Sequence, residues 1–412
     1  MEDAARPLVR LSVPAAGVLL VMLVPAAIEA HARYALAITV GMVLCWIVDA
    51  LHPAIVGVVG CFLFRATGVA EFETAFAGFG SATPWLLYGA LALFSAADRG
   101  GVIAVIGAHS PTRLTQSLVV SSIALVIGAY VLGLIVPSSL ARATMLAFLA
   151  VGWSSASGQA AERTTWLVLV ATYAATVFGR TETTEATAPL GWNIVMMLIL
   201  SVSVVWLSKR STKSAEPIAG SETPSPAGAL NGKVAALVVV AIGLWVTTPL
   251  HGLSPALVGL GAGLAASLPG IVSVTDRRPP APDPLAIVLA GTALSIPVVL
   301  TETHAAAAVS QVWLTWHRSG GMLPQELVSY WTMTLHRLLS PDGLPPGLPP
   351  IDAGGNPIGA DDLWAVANST LVAIYQSPAL VLGLSVGSLR QGQVLILGLL
   401  VLAAGSVAVM LF

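Results

Sequence analysis

Long apolar segments alternate with short polar stretches along nearly the whole chain. Most approach the roughly 20 apolar residues that a helix needs to cross a bilayer. They lie at Leu11–Ala30, Tyr34–Leu51, Pro53–Val69, Gln116–Pro137, Ala141–Trp153, Thr164–Phe178, Pro189–Leu207, Val234–Leu250, Pro255–Val272, Asp283–Leu300, Leu363–Gly387 and Gln391–Phe412. The pattern predicts an all-α polytopic membrane protein with about 10–11 spans.

The first segment has two interpretations. Arg6 and Arg10 precede it and the small-residue stretch Glu29–Ala32 follows it, as in a cleaved signal peptide. Nothing downstream has the pattern of a secreted domain, so residues 1–33 are predicted to form an N-terminal membrane helix.

Three polar stretches interrupt the apolar pattern. Residues 208–233 are rich in Ser, Pro and Gly and carry four basic residues, which predicts a cytoplasmic linker under the positive-inside rule. Pro341–Asp362 has four acidic residues and no Lys or Arg, which weakly favours the outer side. Ser310–Leu339 is too polar for an easy crossing, and its Trp and His residues suggest helices in the membrane interface.

Composition agrees with the membrane interpretation. Only 9% of the 412 residues are charged and 56% are hydrophobic, whereas soluble domains carry about 25% charged residues. A net charge of −2 excludes a basic nucleic-acid surface. Cys45 and Cys61 lack metal-ligand spacing and are interpreted as structural thiols. Arg far outnumbers Lys, which suggests a GC-rich bacterial genome and therefore a bacterial inner membrane.

The two halves of the chain contain similar sequence segments in the same order, which predicts two structural repeats, over 34–207 and 234–412. Three pairs of segments match: Trp46–Gly57 with Trp245–Gly259, Thr83–Leu93 with Asp283–Leu294, and Pro137–Arg142 with Ala367–Val372. Inverted repeats with interrupted hydrophobic segments in corresponding places are typical of secondary transporters.

Breaks within these repeats are the candidate binding sites. Glu71–Thr83 and Pro84–Ala97 are too short for two crossings and predict a re-entrant hairpin with its tip near Gly80–Thr83. Val136–Leu140 and Asn368–Thr370 interrupt two further apolar runs. Each break alone is more typical of a helix kink, cap or loop than of a binding site. The matched order of the two breaks in the repeat favours the functional interpretation.

Several of these segments resemble the divalent anion/sodium symporter family, which includes dicarboxylate, citrate and sulfate permeases. Phe72-Glu73-Thr74-Ala75-Phe76-Ala77-Gly78-Phe79 with Trp85-Leu86-Leu87 is similar to the family's first hairpin. Pro137–Ala143 is similar to its Pro-Ser-Asn-Thr-Ala-Arg motif, and Leu244–Val258 to the opening of its second repeat. Ser138 matches the motif serine, whereas Ser139 stands in place of Asn and Leu140 in place of Thr.

The resemblance implies a homodimer that works by an elevator-like movement, with a mid-membrane site for a carboxylate or sulfate and for Na⁺. Its implied substrate-binding residues are Ser138, Ser139, Arg142, Asn368, Ser369 and Thr370. Its implied ion-binding residues are Gly80, Ser81, Thr83, Ser138, Gly291 and Thr292. Leu140 has no side-chain oxygen for a cation, which leaves H⁺ open as the coupling ion.

The predicted function is therefore secondary active transport of a small anion, with a dicarboxylate favoured, Na⁺ or H⁺ as coupling ion and no other cofactor. The alternative is a transporter-derived protein that acts as an intramembrane enzyme or partner subunit. For Arg142, anion binding and ordering of the Ser138–Ser139 turn are both open. Asp49 and His52 favour helix-end roles over an acid–base pair, and Glu302 with His304 is too sparse for a zinc site.

Overall fold

The structure is a computed structural model that describes residues 2–23, 28–157, 161–178, 190–211, 230–268, 270–271, 283–305, 307–309, 324–339 and 366–411. Helices and short connections make up these ranges, and none of them contains a β-strand. The all-α prediction is therefore confirmed for the described residues. The acidic stretch 341–362, most of the linker (212–229) and residues 310–323 lie outside them.

The longer helices follow the apolar segments of the sequence closely. In chain order the helices are α1 Glu2–Leu23, α2 Ala30–Ile47, α3 Pro53–Ala66, α4 Phe72–Ala75, a 3₁₀ turn Ala77–Gly80, α5 Ala82–Arg99, α6 Val102–His109, α7 Thr112–Gln116, α8 Leu118–Ile135, α9 Ser139–Ala156, α10 Ala161–Val177, α11 Leu190–Ser211, α12 Gly232–Val246, α13 Thr248–His251, α14 Pro255–Ala266, α15 Pro284–Glu302, α16 Gln325–Leu339, a 3₁₀ turn Ile374–Gln376, α17 Pro378–Gly387 and α18 Gln391–Leu411.

Four of the described helices are long and apolar enough to span a membrane: α2, α8, α15 and α18. A fifth span results if α5 and α6 are one broken helix, bent by 68°. Gly101 permits this bend because its φ of 74° lies in the left-handed region. Exposed faces of large apolar residues, such as Leu134 on α8 and Val239 on α12, have the composition of a lipid-facing surface. Several helices thus have the properties expected of a multi-pass membrane protein.

The described chain divides into two compact units, each built from both halves of the sequence. Unit 1 comprises Met1–Ser81, Val288–Ser377 and Arg390–Phe412, and unit 2 comprises Ala82–Ile287 and Pro378–Leu389. Each unit therefore combines helices of the two predicted repeats.

Small residues allow close helix packing in unit 1. Gly17 of α1 lies against the side chain of Leu44 on α2, and Gly57 of α3 lies against Thr292 of α15. Gly405 of α18 lies against the phenol of Tyr330 on α16. Tyr330 is fully buried, so α16 packs inside this unit. The described part of 310–339 thus packs against α18, and its predicted interfacial position stays a prediction.

In unit 2, α9 forms the centre and packs against α6, α8, α10 and α17. Gly107 of α6 and Gly152 of α9 bring those two backbones together, and Phe148 stacks on Phe94 of α5 with ring centroids 5.3 Å apart. The helix pair α5–α14 is in equally close contact through Gly89 and Gly263. The deepest core of unit 2 thus begins directly after the Pro137–Ser138 break.

The first sequence echo has the same local structure in both units. Trp46 Nε1 donates to the carbonyl oxygen of Pro53 at 2.8 Å, and Trp245 Nε1 donates to that of Pro255 at 3.1 Å. In each case proline begins the next helix, and the residue before it, His52 or Ser254, caps that helix by accepting a backbone N–H. The two matched segments therefore fold into similar corners with equivalent tryptophan and cap contacts, and the second corner also contains the short helix α13.

If the corners are equivalent, Trp46→Phe and Trp245→Phe should destabilise the protein to a similar extent. Each substitution leaves a proline carbonyl without its indole donor, at a cost of about 1 kcal/mol. The measurement is thermal unfolding of the full chain in detergent, with Trp85→Phe as control because that indole is half exposed. A clear loss for one tryptophan and none for the other would contradict the equivalence.

Candidate functional site

The first break lies between α8 and α9. Helix α8 ends at Ile135, residues 136–138 are non-helical, and α9 begins at Ser139. Pro137 has no N–H to continue the helix. Ser138 is buried and caps α9, because its Oγ accepts the N–H of Ala141 at 3.4 Å. The interruption predicted from Pro137-Ser138-Ser139 is thus present in the structure, at the N-terminus of an 18-residue helix.

Arg142 is fully buried beside this break. Its Nε and Nη2 donate to the carbonyl oxygen of Ala175 at 3.1 and 2.9 Å, and its Nη1 donates to the carbonyl oxygen of Val136. The guanidinium therefore bridges the non-helical turn to α10. Of the two roles left open by the sequence, these bonds support the one that orders the turn.

Leu140 occupies the third motif position and is almost completely buried. Only its backbone has a polar contact, since its carbonyl oxygen accepts from Thr144 Oγ1 at 2.8 Å. Ser139, the second motif residue, is half-buried. The first motif thus offers two serine side chains and one apolar side chain.

The predicted hairpin tip has a turn at the predicted position. The 3₁₀ turn Ala77–Gly80 ends at Ser81, whose Oγ donates to the carbonyl oxygen of Gly78 at 2.8 Å. Gly80 has open space where a Cβ would lie. Ser81 is the last residue of the first segment of unit 1, and Thr83, in the first turn of α5, belongs to unit 2.

Gly291 and Thr292 lie where this turn meets α15. The ring of Phe79 covers Gly291, and the N–H of Gly78 donates to Ser295 Oγ at 3.0 Å. Thr292 is buried, and its Oγ1 donates to the carbonyl oxygen of Val288 at 2.9 Å in its own helix. Unit 1 thus brings Gly291 and Thr292 to the predicted hairpin turn, in a tightly packed contact.

The second break is longer than the sequence predicts and begins later. Residues 366–368 form a helical turn, and the backbone is then non-helical up to Ala373, followed by the 3₁₀ turn Ile374–Gln376 and α17. The interruption predicted within Leu363–Gly387 is therefore present in the described part of that segment, and it extends beyond Thr370. Almost all of 366–377 is buried, so unwound backbone passes through the interior of unit 1.

The three predicted residues of this break have different surroundings. Thr370 Oγ1 and Tyr330 Oη lie 2.9 Å apart, and Ser369 Oγ donates to the carbonyl oxygen of Val366 at 2.6 Å. Asn368 Oδ1 is buried and has no hydrogen-bond partner among the described residues. Tyr330, which sequence reasoning placed in an interfacial helix, is thus part of this site.

Two glutamines support the unwound backbone, and sequence reasoning missed both. Gln376 Oε1 accepts the N–H groups of Val372 and Ala373 at 2.6 and 2.8 Å. Gln391 Oε1 accepts the N–H of Ile374 at 3.0 Å, and its Nε2 donates to the carbonyl oxygen of Val372 at 2.9 Å. The available signal was an amide residue in the apolar run directly before Ser377-Pro378, where a new helix begins.

The predicted substrate residues are divided between the units. Ser138, Ser139 and Arg142 belong to unit 2, and Asn368, Ser369 and Thr370 belong to unit 1. Each unit therefore contains one of the two breaks.

Other candidate chemistry has structural roles where the structure describes it. His52 Nδ1 accepts the N–H of Ala54 at 3.3 Å, which is the helix-end role predicted for it. Cys61 is buried and Cys45 is half-buried, and both are free thiols. Among the residues that the structure describes, no group of three or more His, Cys, Asp or Glu side chains could hold a metal ion.

No family model and no curated protein sequence matches the chain.

Proposed function

We propose that the protein is a secondary active transporter that moves a small anion across a bacterial inner membrane, coupled to Na⁺ or H⁺. One observation carries the proposal: each unit of an otherwise apolar helical chain contains a buried, non-helical stretch flanked by polar side chains. Non-helical backbone at membrane depth is tolerated only where protein buries it or where it lines a cavity. In transporters such broken helices form the binding site.

The polar groups at the breaks suit an anion. Hydroxyls, side-chain amides and the N-terminus of α9 can replace water around a carboxylate or sulfate, and a co-transported cation offsets charge in a low-dielectric site. The resemblance to divalent anion/sodium symporters favours a dicarboxylate substrate and a homodimer. The equivalent Trp46 and Trp245 corners support the internal repeat that such a mechanism requires.

Transport is tested in proteoliposomes containing the full chain. Uptake of labelled succinate, malate or sulfate should require an inward Na⁺ gradient or a pH gradient, and should stop when the gradient is dissipated. Liposomes without protein are the control. Uptake that is independent of both gradients would contradict coupled transport.

The site assignment is tested by Ser138→Ala. We expect loss of most of the uptake, because the substitution removes a buried hydroxyl at the first break, together with about 1 kcal/mol of cap stability. Ser117→Ala is the matched control, since Ser117 Oγ caps α8 in the same way by accepting the N–H of Val120 at 3.3 Å. If both variants lose equal amounts of stability and equal amounts of uptake, Ser138 acts only as a helix cap.

A second candidate, a transporter-derived protein without transport activity, is favoured by one observation. Leu140 is buried at the motif position where an oxygen ligand is expected, and the neighbouring Arg142 bonds to backbone carbonyls. Absence of uptake for every anion tested, from protein that remains folded in the liposomes, would select this candidate.

A further inference from the structure

The two polar atoms of the Gln376 side-chain amide differ in their hydrogen bonding. It is only 3% exposed, and its Oε1 accepts two backbone N–H groups. Its Nε2 is buried and has no hydrogen-bond partner among the described residues. The two N–H groups facing Oε1 fix the orientation of the amide, because an NH₂ group there could accept neither bond.

A buried NH₂ group without an acceptor is costly. A neutral donor left unsatisfied destabilises the folded protein, and buried polar groups in folded proteins are almost always paired. The donor also has little freedom to turn away, since the oxygen of the same amide is held by Val372 and Ala373. An oxygen atom from outside the protein would remove this cost.

We infer that Gln376 Nε2 binds an oxygen atom of the transported anion, which makes Gln376 a substrate-binding residue of the second break. The inference rests on the proposed transport function and adds a residue outside both predicted motifs. It also specifies the ligand class. The acceptor positions of Oε1 are occupied by backbone N–H groups, so the side chain offers donors only and suits an oxyanion such as carboxylate or sulfate, not Na⁺.

The surrounding structure holds this donor in place before any ligand binds. Gln391 bonds to both the N–H of Ile374 and the carbonyl oxygen of Val372, and Gly398 allows α18 to contact the carbonyl oxygen of Leu371. A donor fixed in advance loses little entropy when an anion arrives. Glu326 and Arg337 are the charged residues of α16, and α18 has none. Arg337 is buried, so a fixed positive charge lies in the same unit.

The test is Gln376→Glu in the full-length protein, which keeps the oxygen that accepts the backbone N–H groups and replaces the NH₂. Binding of sulfate is followed by the shift in melting temperature from about pH 6 to about pH 9, because the charge of sulfate is constant over this range and ligands that bind the folded state raise its stability. When the introduced carboxyl is ionised it has only acceptors, and sulfate affinity should fall about tenfold or more.

Protonation of the introduced carboxyl restores one O–H donor, so sulfate affinity should return toward that of the unaltered protein as the pH is lowered. The midpoint of this change is the pKa of the introduced carboxyl group, which the same titration measures. Gln393→Glu is the matched control, because Gln393 lies on α18 in contact with solvent and its Oε1 accepts only the N–H of Arg390. Equal sulfate affinity of Gln376→Glu and the unaltered protein at every pH would overturn the inference, as would an equal loss of affinity in Gln376→Glu and Gln393→Glu.

Hydrogen exchange in the unaltered protein decides the question if Gln376→Glu does not fold. Sulfate should slow exchange in a peptide that covers 371–377, with no change in one that covers 118–135. Unchanged exchange in 371–377 with sulfate bound would overturn the role of Gln376 and leave the proposed transport intact. If neither sulfate nor succinate binds to or is transported by the unaltered protein, both the proposed function and the site are rejected.

Discussion

Replacing Arg142 with alanine is expected to destabilise the protein by about 3 kcal/mol or more, which is among the largest effects of single substitutions. The guanidinium donates to the carbonyl oxygens of Val136 and Ala175. Its loss leaves both carbonyls buried without these donors in a region with no water to replace them. It also leaves a cavity on the buried face of α9.

The melting temperature of the full chain in detergent provides the measurement. Arg113→Ala is the control, because that side chain is exposed on α7. Arg142→Lys should recover only part of the loss, since one ammonium group cannot reproduce the planar fork that reaches two carbonyls. If Arg142→Ala retains its melting temperature and loses only anion binding, Arg142 acts on the substrate and the structural role is wrong.

Gly89→Ala should prevent the close packing of α5 against α14. A Cβ at residue 89 would overlap the carbonyl oxygen of Gly259, and a Cβ at residue 263 would lie 2.6 Å from Gly89 Cα. Backbone atoms cannot rotate away as a side chain can, so the two helices must separate. Overpacking of this kind costs about 3 kcal/mol, and the expected result is a large drop in melting temperature or failure to purify as a monodisperse species.

Gly261→Ala is the matched control for this experiment. It lies on the same helix α14, and no atom lies within 4 Å of the position its Cβ would take. Alanine there should be neutral or stabilise the helix by up to about 1 kcal/mol. Similar melting temperatures for Gly89→Ala and Gly261→Ala would show that the two helices are farther apart than the structure places them.

The positions of the long helices could be predicted from the sequence because a helix with a lipid-facing surface needs a long apolar run. The segment Gln116–Pro137 predicted α8, observed at Leu118–Ile135, and Ala141–Trp153 predicted α9, observed at Ser139–Ala156. The break between them was also readable, since Pro137 cannot donate to a helix and Ser138 is a favourable cap. Neighbouring residues determine these two helices and the break between them, so a single sequence is sufficient to predict them.

The second break was only partly readable because distant residues determine it. The unwound stretch after Thr370 is apolar and could form a helix by itself. It is held open by side-chain amides, and Gln391 lies 17 residues from the Ile374 N–H it accepts. The role of Arg142 could not be predicted from the sequence for the same reason, because its hydrogen-bond partner Ala175 is 33 residues away. The hypothesis of a shared anion site between the two breaks stays a prediction.

Each unit is built from segments that lie far apart in the sequence, which affects the order in which its contacts can form during synthesis. Unit 1 needs its last segment, Arg390–Phe412, and unit 2 needs Pro378–Leu389. Neither unit can form all its contacts before the last segments of the chain are synthesised, so the early helices lack some of their final neighbours until then. Helices such as α2 and α8, whose apolar faces are stable in lipid alone, are suited to that interval. A nascent chain that ends before Pro378 would therefore lack contacts that both units need.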